Sequence, residues 1–427
     1  MRVLCSHYLA DENHPAVRII QVIGQQLRSL GHEVAIHRSF GPAPRSASGA
    51  HSDGTGVAGL QAAIKGTLGC TQAMSRHRAM VRRDRAAVAC FRPQVVLCRQ
   101  DAYCWSMPLV CRRLGVPLVS YADAPLGHER HLFGRTTPRG GARPGHPPRL
   151  VEALERWGLK HSRAVVTVSC IAAKRLRRYK LGVPVRVIPS GVHPELFPQL
   201  PPDERQEKRR FLRLRAPLVI GFRGTFRPLP EIDCLRELML KTSARTDVEW
   251  LLIGDGPGRE VLRKEMAGKV RAVFLKGPPA EYLGRLLSLI DVAVVPPAHS
   301  AGDFDCLAPK ILEFAAAGCA VIASDQGDIA KLLDHGRAGL LLSPSDQADW
   351  QAALSHVLDD EPYRQSLGRA ARRFVLSNFT WRHTARRLEQ VLREVVPDQP
   401  PDFEPAESGR SNLERRLAVR MPGDSGG

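Results

Sequence analysis

Leu251-Leu252-Ile253-Gly254-Asp255-Gly256-Pro257-Gly258 is an apolar run that breaks into a glycine turn and opens a helix at a proline. The run is short and bounded by a turn in which glycine frees the backbone, so it reads as a buried strand. Proline suits the first turn of the helix that follows. A strand feeding a helix in this way is the repeating unit of a doubly wound α/β domain. Outward from it the unit recurs. Apolar runs stand at 218–222, 248–254, 271–275, 291–295, 320–323 and 339–342, with helical stretches between them and two more helices at 361–377 and 380–395.

The first half repeats the alternation. Arg2–Ser6 and Glu33–His37 read as strands around a helix, Ala16–Leu30, that Gly31 closes. A basic helix, Arg76–Phe91, stops before Pro93, and apolar runs follow at Gln94–Cys98, Pro117–Tyr121, Arg163–Ser169 and Val185–Pro189. Gly41–Gly59 and Gly134–Arg149 are expected as mobile loops. Pro198–Arg210, with three prolines and a charge run, is expected as an interdomain connector. The pattern predicts an α/β protein of two Rossmann-like doubly wound domains facing across a cleft, with ligands outside the carboxyl ends of the strands. The expected divisions are 1–200, a linker at 201–215, a second domain at 216–380, a terminal helix at 381–396 and a disordered tail at 397–427.

Composition narrows the classes. Across 427 residues, 43% are hydrophobic and 25% charged, which excludes wholesale disorder. No run approaches the roughly 18 to 20 apolar residues of a membrane span. Met1–His7 has no signal-like apolar core, and the ten cysteines form no C-x-x-C pair, so neither a zinc site nor a disulfide framework is indicated. A cytoplasmic location is expected. The net charge is +19, and residues 1–150 hold 20 basic against 8 acidic residues. Nucleic acid, an anionic membrane and an acidic substrate all fit such a field. So does the Arg-, Ala-, Gly- and Pro-heavy composition of GC-rich, bacterial-like coding. On the helix at 76–91, Arg78, Arg82 and Arg85 share a face, with Met74, Val81 and Val88 as a candidate apolar edge. This suggests a peripheral contact with the inner face of the membrane, and a solvated face fits equally well.

The sharpest chemical signal is Gly302-Asp303-Phe304-Asp305-Cys306-Leu307-Ala308-Pro309-Lys310-Ile311-Leu312-Glu313-Phe314, which leads through Gly318 into Ala320-Val321-Ile322-Ala323. Lys310 and Glu313, three apart, project from one helix face. A phosphate at that helix start meets amide donors, a favourable dipole and an ammonium. A carboxylate one turn on can hold ribose hydroxyls. An ordinary surface ion pair with a cap fits the same residues.

Here the chain resembles the family-4-type retaining glycosyltransferases of the GT-B arrangement, across nearly all of residues 1–396. The motifs are Asp123-Ala124-Pro125-Leu126 with Glu129; Val168-Ser169; Ile188 to Val192 with Pro194 to Phe197; Gly221 to Pro228; Gly254 to Gly256; and Lys310 to Gly318. The resemblance implies a UDP- or GDP-linked sugar donor held by the C-terminal domain. It also implies a saccharide, lipid-linked or small-molecule acceptor held by the N-terminal one, and the terminal helix packing back toward the latter. Glu313 matches the glutamate expected on the nucleotide ribose, Asp305 the acidic residue near the donor sugar, and Lys310 a lysine found in some subgroups. The family's diphosphate-binding arginine and lysine fall on Thr225 and Pro230, so Arg223 and Arg227 are the candidate substitutes. Gly254, Asp255 and Gly256 line the donor turn, and Arg18 is a candidate phosphate contact where paired glycines are usual. Asp123 and Glu129 are candidates to orient the acceptor hydroxyl or move its proton; Asp123 also suits a helix cap.

Breaking a sugar–diphosphate bond leaves a nucleoside diphosphate whose charge must be met by cations and helix dipoles. Lys310 and an arginine are expected to do this without a metal or other cofactor. The readings left open are a nucleotide-sugar epimerase of the same fold, a catalytically impaired relative, and a basic nucleic-acid-binding protein. The last lacks any zinc-finger spacing or aromatic–basic motif, so no nucleic acid is expected.

Overall fold

The computed structural model describes residues 1–8, 15–39, 78–100, 105–123, 148–226, 230–297, 308–344 and 346–398. The expected loops at 41–59 and most of 134–149, and the expected tail beyond Asp398, lie outside them.

The first half is β1 (Arg2–His7), α1 (Pro15–Ser29), β2 (Glu33–Arg38), α2 (78–91), β3 (Val95–Arg99), α3 (Ser106–Arg113), β4 (Leu118–Tyr121), α4 (Pro148–Lys160), β5 (Ala164–Thr167), α5 (Cys170–Arg178) and β6 (Val185–Val187). The second runs α6 (Pro202–Phe211), β7 (Leu218–Arg223), α7 (Pro230–Lys241), β8 (Val248–Ile253), α8 (Pro257–Met266), β9 (Ala272–Leu275), α9 (Ala280–Leu287), β10 (Val292–Val295), α10 (Ala308–Ala317), β11 (Ala320–Ser324), α11 (Ile329–Leu332), β12 (Leu340–Leu342), α12 (Gln347–Asp359), α13 (Glu361–Asn378) and α14 (Trp381–Val395). The strands form two six-stranded sheets, β2-β1-β3-β4-β5-β6 and β12-β11-β10-β7-β8-β9. Their pairings are parallel throughout. Central strands of such a sheet are covered on both faces, which is why β10 reads as an unbroken apolar run and β8 as one broken only by Glu249. Separate cores form on the two sides of the second sheet, one around Leu251, Ile253 and Phe314, the other around Phe222, Trp250 and Leu252.

The expected connector is largely helical. Arg205 and Arg209 on α6 share a face and both reach Asp291, at 2.8 and 2.7 Å, so α6 is rooted in the second domain. The halves meet at a crossover. Val192 N–H donates to Phe379 O at 2.9 Å and Trp381 N–H to Val192 O at 3.1 Å. A side chain on Gly191 would strike the Thr380–Trp381 backbone, which accounts for that glycine. Beyond the crossover Thr380 caps α14 reciprocally with His383. Leu388, Val391 and Leu392 of α14 then join Ile20, Ile23 and Leu27 of α1 in one core. His32 Nε2 lies 3.0 Å from Glu389 at the same contact. The terminal helix thus packs on the first domain.

Candidate active site

In the second sheet β7 is flanked by β8 and β10, so strand order reverses there and the carboxyl ends of β7 and β10 border a crevice. Arg223 ends β7. Its Nη1 donates to Glu313 Oε2 on α10 at 2.5 Å, with the side chains 33% and 19% exposed. Lys310, one turn earlier on α10, is buried, and its ammonium donates to Glu231 Oε1 in the first turn of α7. The same ammonium stands 5.6 Å from the centre of the Phe222 ring. Two cations and two carboxylates thus close on one another where three chain segments converge.

Burial pushes the Glu313 carboxyl above its ordinary range, while Arg223 and then Lys310 pull it back. Helices α7, α8 and α10 all begin at the carboxyl edge of the sheet. Their positive ends therefore lie on the same side as Lys310 and Arg223. An anion arriving here would meet amide donors, an ammonium and a guanidinium. Beside them, Glu313 can accept hydroxyl hydrogen bonds.

The glycine turn after β8 supports this floor. Gly254 and Gly256 have φ of +142° and +144°. A side chain on Gly254 would collide with Gly224 O, and a Cβ on Gly256 would lie 2.8 Å from Phe226 O. The glycines admit the chain's own backbone, and Gly258 N–H donates to Phe226 O at 2.7 Å. The loop after β7 is held against the start of α8 by these contacts. Asp255 is exposed, and its Oδ1 accepts from Gly256 N–H at 2.9 Å.

Asp123 follows β4 at the carboxyl edge of the first sheet. Arg99, ending β3, donates to its Oδ2, while Oδ1 is buried without a hydrogen-bond partner among the described residues. The Tyr121 phenol beside it is pushed up by burial and, after that, by the Asp123 charge. Buried polar atoms are normally paired, so an Oδ1 bare among the described residues can accept from a hydroxyl. Arg18 is exposed in the first turn of α1, away from any ion pair among the described residues. Glu129, Asp305 and Arg227 lie outside the described residues. Thr225 is exposed, and Pro230 opens α7.

Glu231 escaped the sequence reading. An acid in the first turn of a helix looks like an ordinary complement to the dipole, and nothing in the sequence ties it to a lysine on another helix. Asp328 escaped too. It follows β11, and its Oδ2 accepts from Cys170 N–H at the start of α5, across the domain boundary. Among the described residues no group of three or more His, Cys, Asp or Glu is placed to hold a metal ion.

Residues 16–196 match the family described as Glycosyltransferase Family 4, and residues 217–360 match the one described as Glycosyl transferases group 1. A D-inositol 3-phosphate glycosyltransferase of Jonesia denitrificans is 31% identical over 284 residues, covering 62% of this chain and 64% of the relative. A 2-deoxystreptamine glucosyltransferase of Streptomyces kanamyceticus is 27% identical, covering 56% of this chain and 62% of the relative. The chain therefore spans less than two thirds of the curated relatives it matches. Among solved structures, Anabaena Alr3699/HepE in complex with UDP superposes with a TM-score of 0.65 at 13% identity, covering 92% of this chain and all of that one. Sucrose-phosphate synthase of Thermosynechococcus elongatus gives 0.62 at 19% identity, covering 92% and 98%. At these identities the likeness establishes the fold: both are built, like this chain, from two Rossmann-like domains.

Proposed function

The chain belongs to the family-4-like glycosyltransferases of the GT-B fold, and from that premise we propose that it is a retaining glycosyltransferase. In this reading it moves a sugar from a UDP- or GDP-linked donor to a hydroxyl of a saccharide, lipid-linked or small-molecule acceptor. The observation that carries the proposal is the convergence of Lys310, Arg223 and Glu313 at the crevice beside β7. Lys310 and Arg223 take the diphosphate, and Glu313 takes the nucleotide ribose. Crystals of the Anabaena neighbour with UDP and with UDP-glucose support a nucleotide-sugar donor.

As the sugar–phosphate bond lengthens, charge gathers on the leaving diphosphate. The ammonium, the guanidinium and the helix dipoles answer it in a site whose low dielectric strengthens each interaction. In a retaining transfer the departing phosphate takes the acceptor proton on the same face of the sugar. Asp123, through an Oδ1 left without a partner among the described residues, orients the acceptor hydroxyl for that attack. The side-chain cations do the work of a metal, so turnover proceeds without one. Calorimetry with UDP and GDP tests the donor half. Lys310→Ala and Glu313→Ala should each cost about 1.5–3 kcal/mol of nucleoside-diphosphate binding, the worth of a hydrogen bond to a charged group. Unchanged affinity in both folded variants sinks the assignment, and activity that a chelator abolishes and magnesium restores sinks the metal-free mechanism.

A peripheral seat on the inner, cytoplasmic face of the membrane is part of the same reading. Its support is α2, where Arg78, Arg82, Arg83 and Arg85 are all exposed. The expected apolar edge is corrected: Val88 is fully buried in the core with Val96 and Met107, and Met74 lies outside the described residues. Attachment is therefore electrostatic, at about 1 kcal/mol per arginine near an anionic bilayer. Among the described residues no helix is long and apolar enough to cross a membrane. Co-sedimentation should require anionic lipid and fall both with salt and with Arg78, Arg82 and Arg85 changed to Gln. Equal recovery on neutral vesicles counts against it.

A further inference from the structure

Glu231 is the group in the donor crevice that the transfer reaction does not ask for. A buried carboxylate beside a diphosphate site opposes the anion that the site must receive. Yet Glu231 is 7% exposed and grips the Lys310 ammonium, its one cationic partner among the described residues. The family places its phosphate-binding lysine at the position filled here by Pro230. This chain supplies an ammonium from α10 instead and meets it with a carboxylate at the very next residue. A lysine ammonium has three N–H donors, so it can keep Glu231 and still give a hydrogen bond to a phosphate oxygen.

We propose that Glu231 is a positioning residue that fixes Lys310 in the crevice and tempers its hold on the diphosphate, so that the nucleoside diphosphate leaves after transfer. The inference rests on Lys310 as the diphosphate ligand. In the occupied site the Glu231 charge faces the phosphates across a shared ammonium in a low-dielectric setting, and the repulsion falls on the product. Release is a step that commonly limits turnover in enzymes with enclosed sites. Glu231 thus exchanges affinity for speed.

The test uses the full chain and the Glu231→Gln variant, which keeps shape and a hydrogen-bond acceptor while removing the charge. UDP and GDP are the probes. Whichever of them the unaltered protein holds should bind the variant about tenfold more tightly, the low end of the coupling between close charges. KM for the donor and kcat should fall together as release becomes limiting. Glu231→Asp, which keeps the charge on a shorter arm, serves if the Gln variant does not fold, and should shift binding the same way to a smaller extent. Lys310→Met combined with Glu231→Gln should abolish the gain, because no ammonium remains to be released from its counterion. Binding that is unchanged or weaker in a folded Glu231 variant overturns the proposal, whereas loss of the Lys310→Met effect on affinity overturns the donor assignment beneath it.

Discussion

In the proposed role Glu313 holds a ribose diol as a carboxylate, yet its surroundings favour the proton. Burial raises its pKa above the ordinary 4.5, and Arg223 and Lys310 recover only part of the difference. A raised carboxyl means that the folded chain binds the proton more tightly than the unfolded chain does. Stability is therefore greatest below the unfolded value and is lost as pH rises through the folded one. The penalty grows toward alkaline pH. Glu313→Gln removes it, and Arg223, with 33% of its side chain exposed, can take water in place of its partner. The variant should melt above the unaltered protein at pH 8, with the gap closing toward pH 4, while nucleoside-diphosphate binding is weakened. A Gln variant that melts lower at pH 8 would mean that pairing with Arg223 outweighs desolvation. Stability given up at one residue for the sake of binding is common at functional sites.

Elements were the most legible part of the chain, and the reason is physical. Strands buried on both faces are apolar over most of their length, so Val248–Ile253, apart from Glu249, and Val292–Val295 stood out with their ends within a residue or two. What failed was whatever depends on a partner far along the chain. The charge run at 203–210 looked solvated, but Arg205 and Arg209 face Asp291, some eighty residues away. On α2 the basic residues hid the true buried face, which is Met80, Asp84 and Val88 at a spacing of four. Asp84 is in that face because it meets His37 Nε2 at 2.7 Å and Ser106 Oγ at 2.5 Å. At the site, Lys310 and Glu313 were legible because a helix puts residues three apart on one face. Their counterparts Arg223 and Glu231 come from a different strand–helix unit. Only the adjacency of β7 and β10 brings the four together. The glycine turn was legible as a close approach, but what approaches is the backbone of residues 224–226.

At the scale of the whole molecule the two domains touch at the crossover and again at Asp328. The Asp328 carboxylate accepts from Cys170 N–H at the start of α5, where Ser169 already caps Ala172 N–H at 3.0 Å. Lys331 stands 3.8 Å from Asp328 and 3.5 Å from the Cys170 sulfur. Gly327, at φ +59°, leaves room for Ile171, since a Cβ there would come within 2.6 Å of its Cδ1. An anion on a helix N-terminus is worth about 1 kcal/mol. Spent across a domain boundary, that amount shifts an open–closed equilibrium about fivefold. In the proposed assignment the donor residues Lys310, Arg223 and Glu313 all belong to the second domain, whereas Asp123 belongs to the first, so an opening between the domains would weaken transfer more than donor binding. Asp328→Lys sets a cation against the positive end of α5 and beside Lys331. It should enlarge the radius of gyration in solution scattering and lower kcat about fivefold or more, with nucleoside-diphosphate affinity nearly unchanged. Asp328→Asn should do the same more mildly, because it keeps an acceptor oxygen without the charge. If Asp328→Lys scatters and turns over like the unaltered protein, the contact does not govern how the domains meet. If it loses nucleotide affinity instead, then the donor site depends on the first domain in a way that residues 223–313 alone do not supply.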